Sequence, residues 1–67
     1  MYTDINFRTK KHLKEAVKSG QNVHVLDPGG RPTPENGKVY LEGPHYPTPH
    51  SWYAEATLKD GRVVSVK

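Results

Sequence analysis

The order of apolar and polar residues predicts one helix near the start of the chain. Thr9 is a good N-cap residue, and Gly20 is a good stop, so we expect a helix over residues 10–19. Three apolar residues recur at helical spacing and define its buried face: Leu13, Ala16 and Val17.

After the helix the apolar period changes to two, which is typical of strands. Residues 22–26, 38–42 and 51–59 alternate in this way, and we expect each to form a strand. Residues 27–37 lie between the first two strands and hold three prolines and three glycines, so they are predicted to form a loop. The inward residues of the three strands are Val23, Val25, Val39, Leu41, Trp52, Ala54, Ala56 and Leu58.

A last strand follows Asp60-Gly61, and two hairpin registers are possible. A two-residue turn at Asp60-Gly61 would place Val64 and Val66 beside the polar face of residues 51–59. A three-residue loop, with Gly61 in the left-handed position of a bulge, would place both valines on the apolar face. Because a shift of one residue moves the whole apolar set to the other face, burial favours the three-residue loop.

These elements predict an α+β fold in a single domain over residues 1–67. We expect one α-helix packed on one face of a three- to four-stranded antiparallel sheet. Ala54 and Ala56 are small enough to leave room for the helix, and Ile5 and Phe7 are candidates for a short edge strand. The chain has no cysteine, so neither a disulfide nor a thiolate metal site can support this core.

The positive charge is concentrated on the helix. The whole chain carries a formal net charge of +3. Five cations and one carboxylate fall within residues 8–18, and the cations are Arg8, Lys10, Lys11, Lys14 and Lys18. This basic stripe is the candidate phosphate-binding surface, with Arg31 as a further contact. A lysine-rich helix face is also commonly just a solvated face.

The stretch GPHYPTPHSWY (residues 43–53) is open to four interpretations. A metal site would use His45 and His50 with His12 or His24. Polyproline geometry would separate the first two by about 15 Å, which argues against that site. The stretch could instead be a proline-rich ligand, a surface that stacks bases, or a stiff loop that lies along its own sheet. The stiff loop is the simplest of these readings.

No pattern fixes a nucleophile, a base and an orienting group together, so we expect no enzymatic activity, no metal and no cofactor. No apolar run approaches the roughly 20 residues that a membrane helix needs. The first residues also lack the apolar core of a secretory signal. The sequence therefore predicts a cytoplasmic protein.

Residues 43–67 carry a resemblance to known proteins. The stretch GPHYPTPHSWYAEATLKDGRVVSVK resembles the ending of small bacteriophage and prophage proteins, in which GPHYPxPHxWYA leads into a terminal DG hairpin. The helix KKHLKEAV resembles theirs more loosely. The resemblance implies an accessory protein of the bacterial cytoplasm that contacts a host or phage macromolecule, and it transfers no role to any residue.

Two functional hypotheses follow. The first is a non-enzymatic binding module that contacts a host or phage protein through its aromatic sheet face and proline-rich loop. Its contact residues would be Tyr40, His45, Tyr46, His50 and Tyr53. The alternative is a nucleic-acid-binding protein that uses the basic helix. If the helix covers the inner sheet face, its lysines point away from the outward tyrosines, which counts against the alternative. A weak homo-oligomer is also possible.

Overall fold

The computed structural model describes residues 1–44 and 51–67 and confirms the α+β class. The elements in chain order are β1 (Tyr2–Thr3), α1 (Lys10–Lys18), β2 (Val25–Leu26), β3 (Gly37–Gly43), β4 (Trp52–Lys59) and β5 (Arg62–Val66). Strands β3, β4 and β5 form one antiparallel sheet in that order, and β1 pairs with β2 in a second, two-stranded sheet. The expectation of a single sheet is therefore wrong.

The second sheet arises because residues 22–26 pair mainly with the start of the chain. Val25 lies opposite Thr3, whereas only a single bridge joins His24 to Arg62 of β5. The short N-terminal strand forms at Tyr2–Thr3 and not at Ile5 and Phe7, the residues that the sequence suggested.

Backbone hydrogen bonds connect the two sheets at both edges. The N–H of Val63 donates to the carbonyl of Val23 over 2.8 Å, and the N–H of Glu42 donates to the carbonyl of Met1 over 3.0 Å. The strands therefore follow one another around a closed circuit in the order β1, β2, β5, β4, β3. Such closure satisfies edge groups that a small open sheet would expose.

The helix begins at its predicted cap and ends one residue before its predicted end. The backbone N–H of His12 donates to Oγ1 of Thr9 over 3.1 Å, and Gly20 adopts a φ of 85° just beyond the C-terminus. Ser19 is the C-cap, so the helix is one residue shorter than expected. Leu13 and Ala16 are buried, and the helix lies against β5 and, less extensively, β4.

One buried cluster joins the helix to the strands. Trp52 anchors one end of it, since its Nε1 donates to the carbonyl of Phe7 over 2.9 Å. The buried apolar residues are Phe7, Leu13, Ala16, Val23, Val39, Leu41, Trp52, Ala54, Ala56, Leu58 and Val63. The inward alternation predicted for β3 and β4 is confirmed.

The hairpin register at Asp60-Gly61 differs from the expected one. Asp60 and Gly61 have φ values of 53° and 80°, as in a type I′ turn, and Lys59 pairs with Arg62 across it. The shift that burial requires occurs further along, where Val64 is an extra residue on β5. The two-residue turn already places Val63 on the buried face, opposite Leu58, and leaves Val64 exposed. The bulge then brings Val66 back to the face of the core, opposite Ala56.

This register predicts unequal effects of shortening the two adjacent valines. Val63→Ala removes buried carbon atoms and should lower the free energy of unfolding by about 2 kcal/mol. Val64→Ala, the matched control, should change it by less than about 0.5 kcal/mol. Urea unfolding followed by circular dichroism measures both. A larger loss for Val64→Ala would instead support the three-residue loop.

Gly43 is required because it lies directly opposite Trp52 in the sheet. A Cβ atom at residue 43 would be 2.7 Å from Cε2 of Trp52 and would overlap Cζ2 as well. The indole cannot easily move away, since its Nε1 donates a hydrogen bond to the carbonyl of Phe7. The close approach of ring and backbone therefore excludes a side chain at this position.

Gly43→Ala should lower the free energy of unfolding by about 1–3 kcal/mol, the usual cost of overpacking a filled core. Gly29→Ala is the control, since Gly29 is exposed and a Cβ there would meet only two side-chain atoms, Oδ1 of Asp27 at 3.1 Å and Nε of Arg31 at 3.9 Å. Thermal unfolding of the two variants side by side makes the comparison. Equal melting temperatures would mean that the indole does not cover Gly43.

Candidate functional site

The outward side of the three-stranded sheet carries two exposed tyrosines; we call this side the outward face. Tyr40 on β3 lies opposite Glu55 on β4, and Glu42 lies opposite Tyr53. The two tyrosines are thus diagonal neighbours on adjacent strands, about 7–8 Å apart at their backbones. Alternation places them here, because the residues that flank them in sequence are buried.

The rings and the carboxylates differ in how far they reach into solvent. Tyr40 and Tyr53 are 71% and 63% exposed. The side chains of Glu42 and Glu55 are only 29% and 28% exposed. Each carboxylate also has a cationic neighbour: Oε2 of Glu55 lies 3.9 Å from Nζ of Lys38, and Oε1 of Glu42 lies 3.5 Å from the amino group of Met1. A ligand approaching this face would meet the rings first.

A shallow groove of about 570 Å³ runs past both tyrosines. Its lining includes Lys10 from the first turn of the helix and Lys67 from the end of the chain. The helix therefore contributes one of its lysines to the tyrosine surface. The expectation that all helix lysines point away from the tyrosines is wrong for Lys10.

Two other lysines of the helix lie beside a different groove. Lys14 and Lys18 line a groove of about 470 Å³ with Val17 and with residues 64–66 of β5. Arg8 and Lys11 are exposed. The structure thus divides the basic stripe between two surfaces.

A third groove, which is polar and was not predicted from the sequence, lies at the hairpin end of the outward face. Lys59 pairs with Arg62, and Arg62 bridges to His24, so three nitrogen-bearing side chains form a row across the strands. We call Lys59, Arg62 and His24 the basic row. The groove has a volume of about 440 Å³ and also includes Asn22 and Asp60. The one signal in the sequence was the pair of like charges that flanks the Asp60-Gly61 turn.

Polar side chains contact two members of the basic row. Nη1 of Arg62 donates to Oδ1 of Asn22 over 3.1 Å. Nδ1 of His24 lies 3.6 Å from Oδ2 of Asp4, whose other oxygen accepts from the His24 backbone N–H over 3.0 Å. Arg62 is therefore held at the surface by a neutral partner.

The remaining predicted residues are distributed as follows. His45, Tyr46 and His50 lie outside the described residues. Arg31 is in the loop before β3, where its Nε lies 3.4 Å from Oδ2 of Asp27. Within residues 1–44 and 51–67, no three His, Cys, Asp or Glu side chains are grouped to hold a metal ion. No helix in the same part of the chain is long and apolar enough to cross a membrane.

Comparisons with protein-family models, with curated proteins and with solved structures find no match for this chain.

The exposure of the two tyrosines predicts that the fold does not depend on their rings. Tyr40→Thr/Tyr53→Thr keeps strand-forming side chains and should lower the free energy of unfolding by about 1 kcal/mol or less. Chemical unfolding of this double variant tests the point, with Val63→Ala as the reference for a buried loss. A cost equal to that of the buried valine would make the tyrosines structural residues.

Proposed function

We propose that this protein is a small non-enzymatic binding module that holds a macromolecular partner on the outward face. The observation that carries the proposal is the pair of exposed tyrosines, Tyr40 and Tyr53, on two paired strands. Tyrosine is enriched at binding surfaces because it offers a large apolar ring with little side-chain entropy to lose. Neither ring contributes to the buried cluster.

The shape of the surface supports binding over catalysis. The grooves on this domain are shallow and open, whereas small-molecule sites usually enclose most of their ligand. The described histidine with a carboxylate neighbour, His24, faces Asp4 at the surface. A flat aromatic face is better suited to an extended chain or another macromolecule.

Two partner classes are open to such a surface. A host or phage protein would use the tyrosine face together with the proline-rich loop, as the sequence resemblance suggests. Nucleic acid is the second candidate, and the position of Lys10 beside both tyrosines favours it. Either partner fits the bacterial cytoplasm that the resemblance implies.

NMR of the ¹⁵N-labelled protein in unlabelled bacterial lysate tests the proposal. We expect shifts or line broadening in the amides of residues 38–42 and 53–57, because these carry the outward face. Tyr40→Thr/Tyr53→Thr should lose this response while keeping a folded spectrum. Broadening confined to residues 10–18, or an equal response of the double variant, would contradict the proposed surface.

A further inference from the structure

We infer that the ligand of the outward face is single-stranded nucleic acid, with bases stacked on Tyr40 and Tyr53 and phosphates bound by the surrounding cations. This inference rests on the proposed function and names its partner. It differs from the helix-centred alternative, because most of the cations belong to strands and lie on the same face as the tyrosines.

Cations lie beside the tyrosine pair and at the hairpin end of the same face. Lys59 and Arg62 face each other across the hairpin at one end of β4 and β5. Lys10 and Lys67 line the tyrosine groove itself, and the N–H of Lys67 donates to the carbonyl of Glu55 over 2.8 Å. Tyr53 and Lys59 lie six positions apart on β4, a distance of about 20 Å in a strand. An extended ligand can thus contact the outward face along most of the length of β4.

The balance of charge on this face favours an anionic ligand. Five cations lie on or beside it: Lys10, Lys38, Lys59, Arg62 and Lys67. Four carboxylates oppose them, on Glu42, Glu55 and Asp60 and on Asp4 beside His24. The two carboxylates beside the tyrosines are recessed, at 29% and 28% side-chain exposure, whereas Lys38 is 66% exposed. Phosphates could therefore reach the cations without a close approach to these two carboxylates.

The tyrosines select a single strand over a duplex. Stacking on an aromatic ring needs the flat side of a base, which a duplex hides between neighbouring base pairs. Two rings at diagonal positions, about 7–8 Å apart at their backbones, can each take one base. The cations alone would bind either form, so the preference for single strands reports on the rings.

Fluorescence anisotropy with a labelled thymidine oligonucleotide of about ten residues tests the inference, since such modules cover about 4–16 nucleotides. We expect the single strand to bind more tightly than a duplex of equal length. Lys38 is engaged with Glu55, which leaves four cations for phosphates. Four contacts predict about a 50-fold loss of affinity between 50 and 200 mM salt.

Two charge-matched variants locate the phosphates. Lys59→Gln/Arg62→Gln removes two cations from the outward face, and Lys14→Gln/Lys18→Gln removes two from the separate groove between the helix and residues 64–66 of β5. Both double variants lower the net charge by two, so a difference between them reports where the phosphates bind. Only Lys59→Gln/Arg62→Gln should weaken binding, by at least about tenfold at low salt. Equal effects, or a larger effect of the helix variant, would overturn the inference.

A second pair of variants tests the rings. Tyr40→Thr/Tyr53→Thr should lower the affinity for the single strand at least about fivefold per ring and abolish the preference over duplex. Tyr40→Phe/Tyr53→Phe keeps the stacking surface and should retain most of the affinity. A Thr variant that binds as the parent does would contradict stacking.

The failure of this inference can be separated from the failure of the proposed function. Nuclease treatment of the lysate in the NMR experiment removes the nucleic-acid partner. If the outward-face amides still respond after nuclease, and the oligonucleotide does not bind, the partner is a protein and the inference is wrong while the binding module stands. If neither lysate nor oligonucleotide perturbs this face, both fail.

Discussion

Strand β4 can bury only one of its faces, and the rest of the structure depends on that constraint. Trp52, Ala54, Ala56 and Leu58 point into the core, which forces the intervening residues outward. Both neighbours of β4 adjust to this choice. β3 supplies Gly43, where the indole of Trp52 leaves no room for a side chain, and β5 supplies a bulge at Val64. The surface proposed for binding is therefore the unavoidable reverse side of the core.

Local patterns were enough to predict the helix and the two long strands. The Thr9 cap, the Gly20 stop and the alternation along β3 and β4 act over a few residues, and each is found in the structure. The predicted hairpin register is wrong because it places at the turn the one-residue shift that brings the valines to the buried face. The chain instead keeps the favourable Asp60-Gly61 turn and shifts register at Val64, a solution that apolar alternation cannot specify.

The features that the sequence could not predict depend on contacts between distant residues. The second sheet is joined to the first by backbone hydrogen bonds, such as the one from the Val63 N–H to the Val23 carbonyl. No local sequence pattern encodes such a contact. The basic row likewise joins His24 to Arg62 through a single bridge. For the candidate site, the sequence identified Tyr40 and Tyr53 as outward but placed the relevant charge on the helix. Only the strand register shows that Lys59, Arg62 and Lys67 share their face.

The pairing of Lys59 with Arg62 is the strongest argument that this face serves binding as well as folding. Like charges directly opposite on neighbouring strands destabilise a sheet, and here they flank a tight turn that holds them together. Asn22, an uncharged acceptor, bonds to the guanidinium and leaves its charge available. The Asp60 carboxylate in the same groove lessens this repulsion. The phosphate of the proposed ligand would relieve it further, so the pairing is better explained by the proposed binding than by folding alone.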